Sequence, residues 1–207
     1  MSFELLYRDE QLLALNKPSG LLSVLGLGPE NQDCLASRVA EQFPTAQIVH
    51  RIDRDTSGVI VMALDADTHR ELSRQFHDRE VDKTYVAVVY GSLAEDSGEI
   101  DLPMRKDFDH KPRHCIDPVH GRPAITRWRV VERLVDRTRL ELVPLTGRSH
   151  QLRLHLATIG HPILGDNLYA HAAAHAMASR LMLHARSLTI THPTSGERLT
   201  FTAGCPF

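Results

Sequence analysis

His50-Arg51-Ile52-Asp53-Arg54-Asp55-Thr56-Ser57-Gly58-Val59-Ile60-Val61-Met62-Ala63-Leu64 joins two segments of opposite character. Its first nine residues crowd carboxylates, arginines and a histidine together, ending on Gly58. Its last six are a continuous apolar run, short enough for a buried strand. A dense charge cluster in a loop is thus anchored on a rigid element. Asp53 stands between Ile52 and Arg54 with Arg51 close by, and nearby cations favour the ionised carboxylate. A carboxylate held ionised and partly desolvated suits nucleophilic or proton-transfer work on a sugar or base. The plain alternative, on composition alone, is a surface salt-bridge loop.

Outward from this stretch, strands follow strands more often than helices. Phe3–Arg8 and Leu12–Asn16 read as short strands around Asp9-Glu10, and Lys17-Pro18-Ser19-Gly20 reads as a loop. Cys34 to Phe43 has helical spacing at Leu35, Val39 and Phe43, and Pro44 stops it. After Leu64 a helix is expected, capped by Asp65 or Asp67, with Leu72 and Phe76 on one face. Lys83–Tyr90 is β-branched and aromatic, hence a strand. Residues 104–123 are polar and rich in Pro and His, which predicts a binding loop or a small hairpin excursion. Ala124–Leu134 and Thr138–Leu145 read as a strand pair. His150–Ile159 reads as a helix ended by Gly160, and Leu183–Thr191 and Arg198–Thr202 as strands. The expected class is α+β, a mixed and largely antiparallel sheet with flanking helices and loops, in one domain over residues 1–207.

The 207 residues carry a net charge of −2, which by itself argues against a nucleic-acid binder. The distribution says otherwise. Pro103 to His155 holds twelve Lys/Arg against six Asp/Glu, whereas the remainder holds twelve against twenty. Gathered on one face, that segment would offer a patch to phosphates. No apolar run is long enough to cross a bilayer, and Met1-Ser2-Phe3-Glu4-Leu5 lacks the pattern of a secretory signal. Three cysteines without a Cys-x-x-Cys pair fit reduced thiols and a cytoplasmic location.

Three further segments carry chemistry-bearing residues. Lys17 sits where Pro18 and Gly20 fix the chain, so it can meet a phosphate. Lys83 and Tyr85 point to one side of a strand, and a tyrosine can stack on a base and exchange a proton. Leu145-Thr146-Gly147-Arg148-Ser149-His150-Gln151-Leu152-Arg153 is a glycine turn leading into a helix start, where backbone N–H groups can meet an anion. Arg148 can alternatively pair with a carboxylate such as Asp53 in fork geometry. The spacing excludes a phosphate-cradling P-loop, a dinucleotide fingerprint, a zinc-protease helix, a kinase catalytic loop and a nucleophile elbow.

Taken together, five blocks in order resemble the RluA family of pseudouridine synthases. They are Asn16–Leu21, His50–Gly58, Lys83-Thr84-Tyr85, Thr146–Arg153 and His161-Pro162-Ile163-Leu164-Gly165-Asp166. The resemblance implies that a uridine in structured RNA, ribosomal or transfer, is detached at its N-glycosidic bond, rotated, and rejoined through C5. It implies Asp53 as the catalytic aspartate, Tyr85 as the active-site tyrosine and Arg148 as the arginine paired with Asp53. Attack on the sugar and abstraction of the 2′ proton both remain open for Asp53. Arg51 is implied to fill the space left by a flipped base. His50, Lys17 and Arg153 are expected at the RNA as well, with the 105–122 insert. No metal, organic cofactor or obligatory protein partner is expected. A non-catalytic RNA-binding or chaperone protein would fit the basic segment but leave Asp53, Tyr85 and Arg148 without a joint purpose. A base-releasing glycosidase ranks below both.

Overall fold

A computed structural model describes residues 3–207, leaving Met1 and Ser2, the start of the segment read for a secretory signal, outside it. In chain order the strands and helices begin with β1 (Glu4–Arg8), β2 (Leu12–Lys17), α1 (Leu35–Ala40), β3 (Gln47–Ile48), β4 (Ser57–Ala63) and α2 (Ala66–Asp78). There follow β5 (Asp82–Tyr90), β6 (Ser97–Asp101), β7 (Met104–Lys106), β8 (His114–Ile116), β9 (Ile125–Arg133) and β10 (Arg137–Pro144). The chain ends with α3 (Gln151–Thr158), α4 (Ala172–Ala176), β11 (Leu183–Thr191) and β12 (Arg198–Thr202). These elements gather into two compact units, residues 1–83 with 184–206, and residues 84–183 with Phe207. The divisions fall inside β5 and β11, which is why no linker composition announces them.

The first unit is built on β4. β2 pairs with it antiparallel along Leu12–Lys17, and β1 pairs with β2. Its other neighbours are β3, antiparallel at Met62 and Ala63, and β11, parallel at Ser57 and Gly58. β12 continues from β11. Side chains alternate across a sheet, so β2 and β4 each feed two cores. Leu12, Ala14, Val59 and Val61 pack with Leu72 of α2 and with Leu188, while Leu13, Leu15, Ile60 and Met62 pack with Leu35 and Val39 of α1. Every residue of β4 is therefore buried, as its unbroken apolar run predicted. Asp65, one of the two expected caps, accepts from Asp67 and Thr68 N–H at the start of α2.

The second unit is an antiparallel sheet in the order β5-β10-β9-β6, with α3 packed on it through Leu152 and Leu156 against Ala87, Leu140, Leu142 and Trp128. The polar insert forms the hairpin β7–β8, one of the two forms expected of it. β3, β6 and α4 were not anticipated. β6 offers a single buried apolar residue, Ile100, too little to produce an alternating pattern.

The basic segment needs correction. Arg127, Arg129 and Arg133 of β9 are paired with Glu99, Glu141 and Asp96 at 2.7–2.8 Å. Cross-strand geometry puts opposite charges side by side, so much of the local excess is neutralised where it stands. The exposed cations of this segment that carry no salt bridge among the described residues lie in the hairpin or at its base: Lys106, Lys111, Arg113 and Arg122. No described helix is long and apolar enough to cross a membrane.

Candidate active site

The Asp53 loop is held from below by residues 17–23. Lys17 is completely buried, and its Nζ donates to the carbonyls of Pro18, Leu21 and Arg54 at 2.6–2.9 Å. Ser19 Oγ donates to Asp55 O at 2.6 Å, and Gly20 N–H donates to Arg54 O at 2.9 Å. Ser23 brackets Ile52, donating to its carbonyl at 2.8 Å and accepting from its N–H at 3.3 Å. Thr56 N–H closes the turn on Asp53 O at 3.2 Å. Backbone on both sides of Asp53 is thus immobilised while its side chain stays partly exposed. Such preorganisation lets a carboxylate act without reordering at the moment of reaction.

The loop then enters β4 through Ser57 and Gly58. Ser57 and His184 are buried, with Ser57 Oγ 2.8 Å from Nδ1, and His184 Nε2 3.3 Å from Ala203 O. A carbonyl can only accept, so Nε2 carries the ring proton and Nδ1 accepts from Ser57. Gly58 has φ 116°, and a Cβ there would run into the Ala185 backbone. Only glycine lets β4 approach β11 so closely.

Two residues expected at the RNA make structural contacts of their own here, and of the two only His50 is partly exposed. Lys17 was expected at a phosphate, but burial and three carbonyl acceptors assign it to holding the loop. His50 was also expected at the RNA, yet its ring stacks on Phe76 at 4.3 Å and its Nε2 accepts Val61 N–H at 3.0 Å. Val61 is opposite Ala14 of β2 and lies between the β4 residues paired by β11 and those paired by β3, and the imidazole accepts its backbone N–H. Burial, with the Lys83 charge second, lowers the His50 pKa to about 3. Arg51, by contrast, is exposed in the loop.

This gives a pH expectation. The unfolded histidine takes a proton near its ordinary 6.5, whereas the folded one resists down to about 3. His50 therefore favours folding fully above pH 6.5, and that contribution drains away as pH falls through this window. His50→Gln should flatten the acid side of the stability curve by up to about 1.4 kcal/mol per pH unit. Urea melts of both proteins at pH 7 and pH 5 check it, and parallel curves would refute it.

In the second unit, Tyr85 is partly buried, opposite Leu142 in β10 and against the core of that unit. Arg148 lies in the turn before α3. Its N–H donates to Gln151 Oε1 at 3.0 Å and its Nε to Pro123 O at 3.1 Å. Gln151 Oε1 also accepts from Thr146 Oγ1 at 2.8 Å, and its amide donates to Ile125 O and Thr126 Oγ1. Gln151, quoted within a sequence block but given no role, therefore organises the turn. Arg153, expected at RNA, is corrected as Lys17 was. Its buried guanidinium makes two 2.7 Å bonds to the buried carboxylate of Asp166. Burial acts to raise the Asp166 pKa, but the Arg153 bonds and charge, with Leu168 and Tyr169 N–H, outweigh it and hold the carboxyl below its ordinary range. Gly165, before Asp166, is left-handed, φ 72°, where an added Cβ would run into the Arg180 backbone. Among the described residues, no group of three or more His, Cys, Asp or Glu is placed to hold a metal ion.

Residues 11–158 match the family model described as RNA pseudouridylate synthase. The chain is 52% identical over 203 residues to the dual-specificity RNA pseudouridine synthase RluA of Yersinia pestis, covering 98% of each chain. It is 50% identical over 205 residues to the RluA protein of Haemophilus influenzae, covering 99% of this chain and 94% of that one. Among solved structures, human RNA pseudouridylate synthase domain containing 1 superposes with a TM-score of 0.84 at 28% identity, covering 99% of this chain and 84% of that one. The family model over most of the chain and these relatives along nearly its full length show that the chain belongs to the RluA family of RNA pseudouridylate synthases.

Proposed function

We propose that this protein isomerises specific uridines to pseudouridine in both ribosomal RNA and transfer RNA; its relatives are named dual-specificity RNA pseudouridine synthases, which supports more than one RNA target. The observation that carries the reading is the immobilised backbone on both sides of Asp53 beneath a partly exposed carboxylate. The C1′–N1 bond breaks, the uracil turns, and a C1′–C5 bond forms. The proton leaves C5 and N1 gains one, so the product is an isomer of the substrate. Asp53 acts on the sugar, by attack at C1′ or by taking the 2′ proton. Tyr85 stacks on the uracil and helps remove the C5 proton. Arg148 keeps the aspartate anionic and oriented. Both units serve one catalytic domain. Arg51, exposed beside Asp53, fills the stack when the target base is flipped out. The hairpin cations meet RNA phosphates, and the enzyme works in the cytoplasm on structured RNA.

Incubation with RNA carrying tritium at uridine C5 tests the reaction. The protein should release tritium to water stoichiometrically with pseudouridine. Binding without release would leave an RNA-binding protein, and release of free uracil would leave a glycosidase.

A further inference from the structure

Tyr169 lies just beyond the His161–Asp166 block and has no part in the chemistry above. Its hydroxyl accepts the backbone N–H of His114 in β8 at 2.8 Å and lies 2.8 Å from His150 Nδ1. The amide donates, so the hydroxyl oxygen accepts there, and the His150 ring tautomer sets which group donates in the second contact. His150 directly precedes α3, two residues after Arg148, in the left-handed region at φ 59° and ψ 13°. That conformation is uncommon outside glycine and persists where surrounding contacts enforce it. Tyr169 supplies such a contact. It is itself fixed: its N–H donates to Asp166 Oδ1 at 3.1 Å, and the Arg153 guanidinium lies 5.5 Å from its ring centre.

A second link runs in parallel. Arg148 Nε is held by Pro123 O, and Pro123 follows Arg122, which closes the hairpin base on Met104 with two backbone bonds of 2.9 and 3.0 Å. The hairpin therefore grips the Arg148 turn twice, once through the arginine side chain and once through His150. The same hairpin carries the exposed cations Lys106, Lys111 and Arg113, with Arg122 at its base.

We propose that Tyr169 is a positioning residue that couples contact of RNA phosphates with the β7–β8 hairpin to the placement of Arg148. This rests on the isomerase reading above. The coupling is mechanical. A load on the hairpin is passed through the His114 amide and the Tyr169 hydroxyl to the strained residue that sets the turn.

Tyr169→Phe keeps the ring over Arg153 and removes the hydroxyl. Under single-turnover conditions with saturating tritium-labelled tRNA transcript, it should release tritium about fivefold to tenfold more slowly, the worth of roughly one hydrogen bond. RNA affinity should be unchanged. Lys111→Ser with Arg113→Ser should weaken RNA binding and also slow the saturated rate in the wild-type background. In the Tyr169→Phe background it should weaken binding alone. Long-range 1H–15N spectra should show the His150 Nδ1 resonance shifted when the hydroxyl is removed. Should Tyr169→Phe fail to fold, His150→Gln breaks the same contact from the other side and carries the same expectations. An active wild type with an unchanged saturated rate in Tyr169→Phe, or hairpin and Tyr169 effects that simply multiply, overturns the coupling alone. A wild type that releases no tritium overturns the isomerase reading and this proposal with it.

Discussion

Asp53→Asn is expected to lose pseudouridine formation by about 10² to 10⁴-fold or more, the range attached to removing a positioned proton-transfer group. Either proposed route requires an anionic oxygen, whether as nucleophile toward C1′ or as base toward the 2′ position, and an amide supplies neither. The amide is nearly isosteric. Bonds that fix the loop are made by the backbone of Ile52, Asp53, Arg54 and Asp55, and they survive the substitution. The variant should therefore fold normally and bind RNA at close to wild-type affinity. Tritium release and RNA affinity, measured on the same preparation, separate the two effects. Substantial release by the variant would remove Asp53 from its role.

Asp166→Ala should have the largest effect on stability. The Arg153 and Asp166 side chains are 3% and 0% exposed. Removing the carboxylate leaves a guanidinium buried without its countercharge, which costs about 3 to 5 kcal/mol. Single domains are stable by about 5 to 15 kcal/mol, so the second unit would be brought near unfolding. The same change strips the acceptor from Leu168 and Tyr169 N–H, loosening the segment that leads to the Tyr169 hydroxyl. Urea or thermal melts followed by the lone Trp128, which lies in the core of that unit, would report it directly. A shift no larger than that of a surface substitution would refute the account. The pH dependence has a definite sign. Because the folded Asp166 pKa is lowered, its contribution is complete above the ordinary carboxylate range and is lost as pH falls below it. In Asp166→Ala that acid-labile part should be absent.

Most strands and helices were legible because each leaves a periodic signal. Strands lie over Leu12–Asn16 and Leu183–Thr191 where the apolar pattern placed them, the first running one residue further to Lys17, and Asp65 caps α2 as its side chain allows. β6 was not legible, since one buried isoleucine makes no pattern. At the site, the motif residues were legible but their duties were less so. Arg51, Lys17, His50 and Arg153 all read from sequence as polar groups available to RNA. Only Arg51 of these is exposed.

By itself the sequence determined most of the elements, the α+β class, the Asp53 loop with its buried strand, and the family. These depend on local periodicity and on motif blocks that are contiguous in the chain. The tertiary structure decided which charged side chains face water. A lysine and an arginine look alike in a sequence whether their partner is solvent, three carbonyls from residues 18, 21 and 54, or a carboxylate thirteen residues away. Burial and long-range pairing set that choice, because a buried charge must find its counterpart inside the fold. The His50–Gly58 loop shows both kinds of information at once. Its residues announce the chemistry, while the segment that holds them still lies some thirty residues earlier and meets them only in the folded chain.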